Sequence, residues 1–282
     1  MSRKTQTPAE LVIRPRDLAF GRNMTHSRWW MGSDPVATAY LNTLSASFPQ
    51  GERFFIESVR AFKNAASPEL QTQIAAFASQ ESIHAREHVL FNRQAANAGY
   101  DLSKIEAFVK RELDFGRTRE PIEQLAITIA LEHFTAIFAH SALTDPRLLE
   151  GASPENQRLW RWHAMEEIEH KAVAFDTYLA ATKNWSPFRR WMKRTSVMFL
   201  STFLFFAEIF VGVREHFRQD GINTPRTWLR LLHYLFVKPG GLRQVMGHYF
   251  SFYCPGFHPW QRDDRALIAD LETMLPARYT SA

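Results

Sequence analysis

Residues 68–98 read PELQTQIAAFASQESIHAREHVLFNRQAANA. Ser67 and Pro68 supply a side-chain cap and an N1 proline, and Gly99 supplies a stop, so the stretch reads as one long helix. Leu70, Ile74, Phe77, Glu81, His84, His88 and Phe91 are separated by 4, 3, 4, 3, 4 and 3 residues. That spacing puts all seven on one helical face, the pattern of a bundle seam. Glu81 and His84 therefore occupy core positions. The stretch 154–182, PENQRLWRWHAMEEIEHKAVAFDTYLAAT, repeats the pattern. Its Trp160, His163, Glu167, His170, Ala174 and Thr177 step by 3, 4, 3, 4 and 3. Two helices thus aim carboxylate and imidazole inward. Burying such groups bare costs several kcal/mol per charge, and a bound metal ion is the simplest compensation.

Glu81-x-x-His84 and Glu167-x-x-His170 both place a carboxylate and an imidazole one turn apart. Two such motifs, with one further Glu from each of two other helices, form the ligand set of ferritin-like di-metal bundles. Glu57, in ERFFIESVRAF, and Glu132, in ITIALEHFTAIFAH, are the expected partners. Glu132 is the only acid between Gln124 and Leu143, which is odd for a solvated helix. His163, one turn before Glu167, is the expected seventh ligand. Glu166 is expected to accept a hydrogen bond from a ligating histidine, His84 being the first choice, and His88 to stand behind the ligands or in a cavity wall. His133 is rotated about 100° from Glu132 and is expected to pack or bond locally, and His140 carries no stronger signal.

Working outward, the fold class expected is all-α: a four-helix bundle with additional C-terminal helices. Helices are expected at 35–47, 52–66, 68–98, 104–115, 121–143, 154–182 and 187–218, with shorter ones near 225–237, 241–252 and 261–275. Ser103 and Glu106 have capping-box spacing. No alternating strand run or solenoid repeat is present. Residues 1–50 read as a lead-in segment and helix, 51–183 as the bundle, and 184–282 as an aromatic-rich extension. The chain has 282 residues, 45% of them apolar and 22% charged, which excludes a wholly disordered protein. Its net charge of +5 is mild, and nucleic acid is not an expected partner. One cysteine, Cys254, excludes an intramolecular disulfide and a multi-cysteine metal site and fits a reducing compartment. The N-terminus lacks the apolar run of a cleaved signal peptide.

Residues 197–213 read VMFLSTFLFFAEIFVGV, apolar around most of the helix, with Glu208 the only charge. Arg189, Arg190, Lys193 and Arg194 precede them and Arg214 follows. Three placements follow: first a core or dimer helix, then a monotopic membrane contact, then a span. A cytoplasmic protein, peripheral or monotopic at the inner membrane in the second case, is the corresponding location. Glu208 must face protein, a cavity or a partner.

The stretches RWWMGSDPVATAYLNTLSASFPQGERFFIESVRAF, QESIHAREHVLFN, ALEHFTA and WHAMEEIEHKAVAFDTY together resemble a bacterial ferritin-like family labelled "predicted metal-dependent hydrolase". The resemblance runs from about residue 12 to beyond residue 180. The ligand pattern also resembles that of di-iron arylamine N-oxygenases acting on p-aminobenzoate. The matching positions are Glu57, Glu81, His84, Glu132, His163, Glu167 and His170, and this second resemblance is confined to them.

Carboxylates and imidazoles suit iron, manganese or zinc. Iron is the first choice for a pair of ions, because Glu-rich helix bundles typically host it. The expected function is oxidation of a hydrophobic or aromatic substrate, with dioxygen and an external electron donor as partners. The alternatives are hydrolysis of an ester or amide by a metal-activated water and a non-catalytic metal-binding bundle. A homodimer is compatible with the apolar C-terminal helix.

Overall fold

The computed structural model describes residues 6–20 and 26–274, so the expected helix end at residue 275 lies outside the described residues. It is all-α, with no strand among the described residues. The four helices around the Glu and His seams are α1 (Pro35–Arg60), α2 (Pro68–Asn97), α4 (Pro121–Thr144) and α5 (Pro154–His170). Helix α3 (Ser103–Arg117) bridges α2 to α4, and α6 (Val173–Ala181) follows α5. Around them lie α7 (Pro187–Gln219), α8 (Pro225–Phe236), α9 (Gly241–Ser251) and α10 (Arg265–Met274).

One local device starts five of these ten helices. Asp34, Ser67, Ser153, Ser186 and Thr224 each precede a proline, and each side chain accepts a hydrogen bond from an amide in the first turn. The proline has no amide to orphan and presets φ. Ser103 behaves differently from its capping-box spacing. It is the first helical residue of α3, and its own amide is held by Asp101 at 2.9 Å.

Two differences from the expected boundaries bear on the site. Pro49 marks a break between 47 and 52 in the sequence, yet α1 runs straight through it. A mid-helix proline orphans the carbonyl four residues earlier. Here that carbonyl belongs to Ser45, and the Asn92 side-chain amide of α2 donates to it at 3.0 Å. The other difference is a break at 171–172 in the expected 154–182 helix. Lys171 is buried there, donating to Asp264 at 2.6 Å and to the Arg262 carbonyl at 2.9 Å. The chain leaves α5 at this tether, directly after His170.

Expected first as a core or dimer helix, α7 is covered on one face only within the chain. It packs one face along α1 and α4, where Met198, Ser201 and His216 are buried. Gly212 permits the closest approach, because a Cβ there would overlap the Thr43 side chain of α1. The opposite face of α7 is open to solvent, with Phe199 73% and Phe203 69% exposed.

Between α1, α3, α4 and α7 lies a cavity of about 490 Å³, walled mainly by apolar side chains. Glu52, His163 and Glu167 line one part of it, and Leu204, Phe205 and Glu208 of α7 line another.

Candidate metal centre

Four helices bring seven buried side chains together. Glu52 comes from α1, Glu81 and His84 from α2, Glu132 from α4, and His163, Glu167 and His170 from α5. Every one is at most 4% exposed. They fall into two groups able to hold metal ions, Glu52–His84–His163 and Glu81–Glu132–Glu167–His170. Within each group the facing ligand atoms lie within 4.8 Å of one another.

Glu57 is not among them, and the expectation placing it there is corrected. Its carboxylate is 56% exposed and pairs with Arg117 at 3.0 Å. Glu52, five residues earlier, faces the cluster instead. Five residues rotate a helix by about 140°, so the two cannot share a face. The continuity of α1 through Pro49 sets this phase. Leu41, Ser45, Phe48, Glu52, Phe55 and Val59 step by 4, 3, 4, 3 and 4, the spacing seen in α2 and α5.

Glu167 stands between the two groups. Its Oε1 lies 3.3 Å from His84 Nδ1, 3.1 Å from His163 Nε2 and 3.5 Å from His170 Nε2. His170 Nε2 also lies 3.1 Å from Glu81 and 3.7 Å from Glu132. Yet these approaches leave many polar atoms without hydrogen bonds. Both oxygens of Glu52, Glu81 and Glu132, Oε2 of Glu167, Nδ1 of His84 and Nε2 of His170 are buried with no hydrogen-bond partner. Native interiors carry only a few such atoms per hundred residues, and here nine belong to one cluster. Lone pairs that point at a common centre rather than at each other are the arrangement a cation satisfies.

Each histidine is held from behind. His84 Nε2 lies 3.1 Å from Glu166, which in turn accepts from the Arg16 amide and guanidinium. His163 Nδ1 lies 2.7 Å from His88 Nε2, whose Nδ1 meets Ser45 Oγ at 2.8 Å. His170 Nδ1 lies 2.9 Å from Gln80 Oε1, and the Gln80 amide donates to Glu169 at 2.8 Å. With its outer nitrogen protonated and held, each ring can offer its inner nitrogen to a cation once the inner proton is released. Arg16, 4% exposed, binds both Glu166 and Glu169 and so supports two of the three histidines. Neither Arg16, Gln80 nor Glu169 was singled out from the sequence. Gln80 and Glu169 adjoin Glu81 and His170, which is the only signal they carried. Arg16 lies in an irregular segment with no periodicity to read.

The electrostatics describe a cluster occupied by protons. Burial, reinforced by neighbouring carboxylates, pushes Glu52 and Glu132 well above the usual carboxylate range. Burial acts the same way on Glu167, but His170, His163 and His84 outweigh it and hold that carboxyl well below. His84 is opposed by burial, yet the nearby carboxylates of Glu166 and Glu167 raise it to about 10. His170 is likewise raised by Glu167 and Glu81 against the effect of burial. Burial and His84 bring His163 down to about 4. A ligand set in this state binds a cation by releasing protons.

Aromatic rings pack against two of the histidines. Trp162 meets the His84 ring edge-on at 4.9 Å and Phe77 meets His170 at 4.9 Å. His133 and His140 lie apart from the ligands. His133 Nε2 meets the His248 carbonyl at 3.0 Å, and His140 meets Asp264 at 2.9 Å.

No curated protein and no solved structure matches the chain. A family model does match, across residues 14–263, a span that holds all seven clustered residues and Arg16. The chain belongs to the family described as predicted metal-dependent hydrolases.

Proposed function

We propose that the seven clustered residues hold two metal ions, with Glu167 shared between them, and that the chain is an enzyme acting on an apolar small molecule in the adjoining cavity. The observation that carries this reading is the position of Glu167 Oε1, within 3.5 Å of the inward nitrogen of all three histidines. Charge supports it. Four carboxylates and three neutral imidazoles offset two divalent cations, so the filled site would bury no net charge. The four-helix ligand order, with two Glu-x-x-His motifs, supports a ferritin-like assignment of the bundle.

Of the chemistries such a centre supports, oxidation with dioxygen suits the donor set best, and iron is the metal it implies. Iron bound there would supply electrons to dioxygen, an external donor restoring them between turnovers. The protein's part is positioning. Glu166, His88 and Gln80 would fix the imidazoles, and the apolar wall would orient a hydrophobic or aromatic substrate against the Glu52–His163–Glu167 side. Phe48, packed on His88 at 4.7 Å and on His163 at 4.9 Å, would exclude water from that side.

Hydrolysis of an apolar ester or amide is the second reading, and the family's own description favours it. Under it, zinc or manganese would activate a water, and Glu208, raised to about 7 by burial in the cavity wall, would protonate the leaving group. Both readings rest on the same two-metal site.

The test is to load the anaerobic protein with Fe(II), mix it with dioxygen and follow absorbance from the near-ultraviolet to the red. The oxidative reading expects a charge-transfer band that saturates at about two irons per chain. Metal binding without reaction toward dioxygen, together with turnover of apolar esters or amides, would instead establish the hydrolytic one. Absence of metal binding would remove both.

A further inference from the structure

We propose that the outer face of α7, extended by α8, seats in the surface of an anionic lipid bilayer. Phe188, Met192, Phe199, Phe203, Phe206 and Phe210 are 42–73% exposed. At about 100° per residue they fall within roughly 60° of arc, a single stripe roughly 33 Å long. Phe210 stacks on Trp228 of α8 at 5.1 Å, and there α8 adds exposed Leu229, Leu232 and Phe236. A contiguous apolar surface of this extent marks a contact site rather than ordinary exposure.

The stripe does not belong to a spanning helix. The opposite face of α7 is packed on the protein body, with Arg194, Met198, Ser201 and His216 at most 5% exposed. A helix fixed along its length to a protein body can offer lipid one side only, which is the monotopic arrangement.

Charge selects the occupant. Residues 186–253 carry ten Lys or Arg and three Asp or Glu. That is an excess of seven against a net charge of +5 for the chain, so the remainder is slightly acidic. All three acids are withdrawn from the surface. Glu208 lines the cavity, the Glu215 side chain is 8% exposed, and that of Asp220 is fully buried. Arg189 and Arg214, both exposed, flank the stripe at either end, and Arg226, Lys238 and Arg243 are exposed nearby. A symmetric dimer through this face would bring two cationic surfaces together. An anionic bilayer offers apolar depth for the phenylalanines and opposite charge for the rim.

The face also meets the cavity. Leu200 is 51% exposed and lines the cavity, as do Lys193 and Val197. An apolar substrate could therefore pass from the bilayer to the cavity without crossing water. That route rests on reading the cavity as the substrate site, whereas binding to the bilayer does not.

The test is flotation of the full-length, metal-loaded protein with vesicles of phosphatidylglycerol and phosphatidylcholine, and with phosphatidylcholine alone. Binding is expected to the anionic vesicles and to weaken as salt is raised. Phe199→Ser combined with Phe203→Ser should weaken it about tenfold or more, with helicity and metal content unchanged. Arg189→Glu with Arg214→Glu should reduce binding to anionic vesicles only. Three results would overturn the proposal: a wild-type protein that stays unbound, a Phe199/Phe203 variant that binds undiminished, or a stable dimer in light scattering that the same variant dissociates.

Discussion

The two halves of the cluster differ in donors and in surroundings. One half, Glu52, His84 and His163, is rich in nitrogen and meets the cavity through Glu52 and His163. The other, Glu81, Glu132 and His170 with Glu167, is rich in oxygen. Of its members only the shared Glu167 reaches the cavity wall. The backing differs too. His163 leans on neutral His88, which burial and His163 hold well below the usual histidine range, whereas His170 leans on the Gln80–Glu169–Arg16 chain. The comparison teaches a division of labour. The oxygen-rich half is enclosed and suited to holding an ion, and the nitrogen-rich half is where a substrate could approach one.

The largest effect should come from removing what the halves share. Glu167→Ala is expected to abolish binding of both ions, measured as metal per chain after loading and desalting. Retention of two ions would refute the shared role. Next, each half should fail separately. Glu52→Ala and Glu132→Ala are each expected to leave about one ion per chain, with Glu52→Ala also removing activity at the cavity side. Loss of both ions in either variant would mean that the halves do not form independently. His88→Ala and Gln80→Ala, which touch only the backing, should weaken binding by about 10- to 100-fold, each at its own half. Titrations with a metal-sensitive dye would reveal which of two steps moves.

A smaller effect concerns pH. A group whose folded pKa is raised stabilises the fold below its unfolded value and loses that contribution as pH rises through the folded one. His84, raised to about 10, and the raised His170, Glu52 and Glu132 all act in this direction. Glu167, held low, contributes fully above the ordinary carboxylate range and loses that contribution only below it, so it adds no slope near neutrality. The metal-free protein should therefore lose stability between about pH 6.5 and pH 10, and metal should restore it most at the upper end. Melting curves with and without metal would check this, and a gap that narrows with rising pH would contradict it. The smallest effect belongs to Glu57→Ala. With its carboxylate on the surface paired to Arg117, this change should leave metal content unaltered and stability within about 0.5 kcal/mol.

Much of this was legible in the sequence where periodicity was unbroken. The seam of 68–98 runs without interruption and that of 154–182 holds as far as His170; Glu81, His84, His163, Glu167 and His170 all reach the cluster, with His88 behind His163. Glu132 stood out as a lone acid in an apolar helix. Glu52 failed to stand out because Pro49 reads as a helix break, and a break resets the phase. What keeps α1 continuous is a contact from α2, Asn92 on the Ser45 carbonyl, which no local pattern reveals. The support shell was less legible still, since Arg16 reaches Glu166 and Glu169 from some 150 residues away in the chain. The C-terminal helix shows a further limit. The most apolar stretches of α4 and α7 pass the same test of length and composition, yet 67% of one is buried and 28% of the other. Composition records how apolar a helix is, whereas the partners it meets decide which side is covered.

The most direct test of the two-metal centre is anomalous diffraction from crystals of the metal-loaded protein at the absorption edge of the bound metal. Two peaks are predicted about 3.5–4 Å apart on either side of Glu167 Oε1, one bounded by Glu52, His84 and His163 and the other by Glu81, Glu132 and His170. A single peak, or peaks away from these side chains, would contradict it.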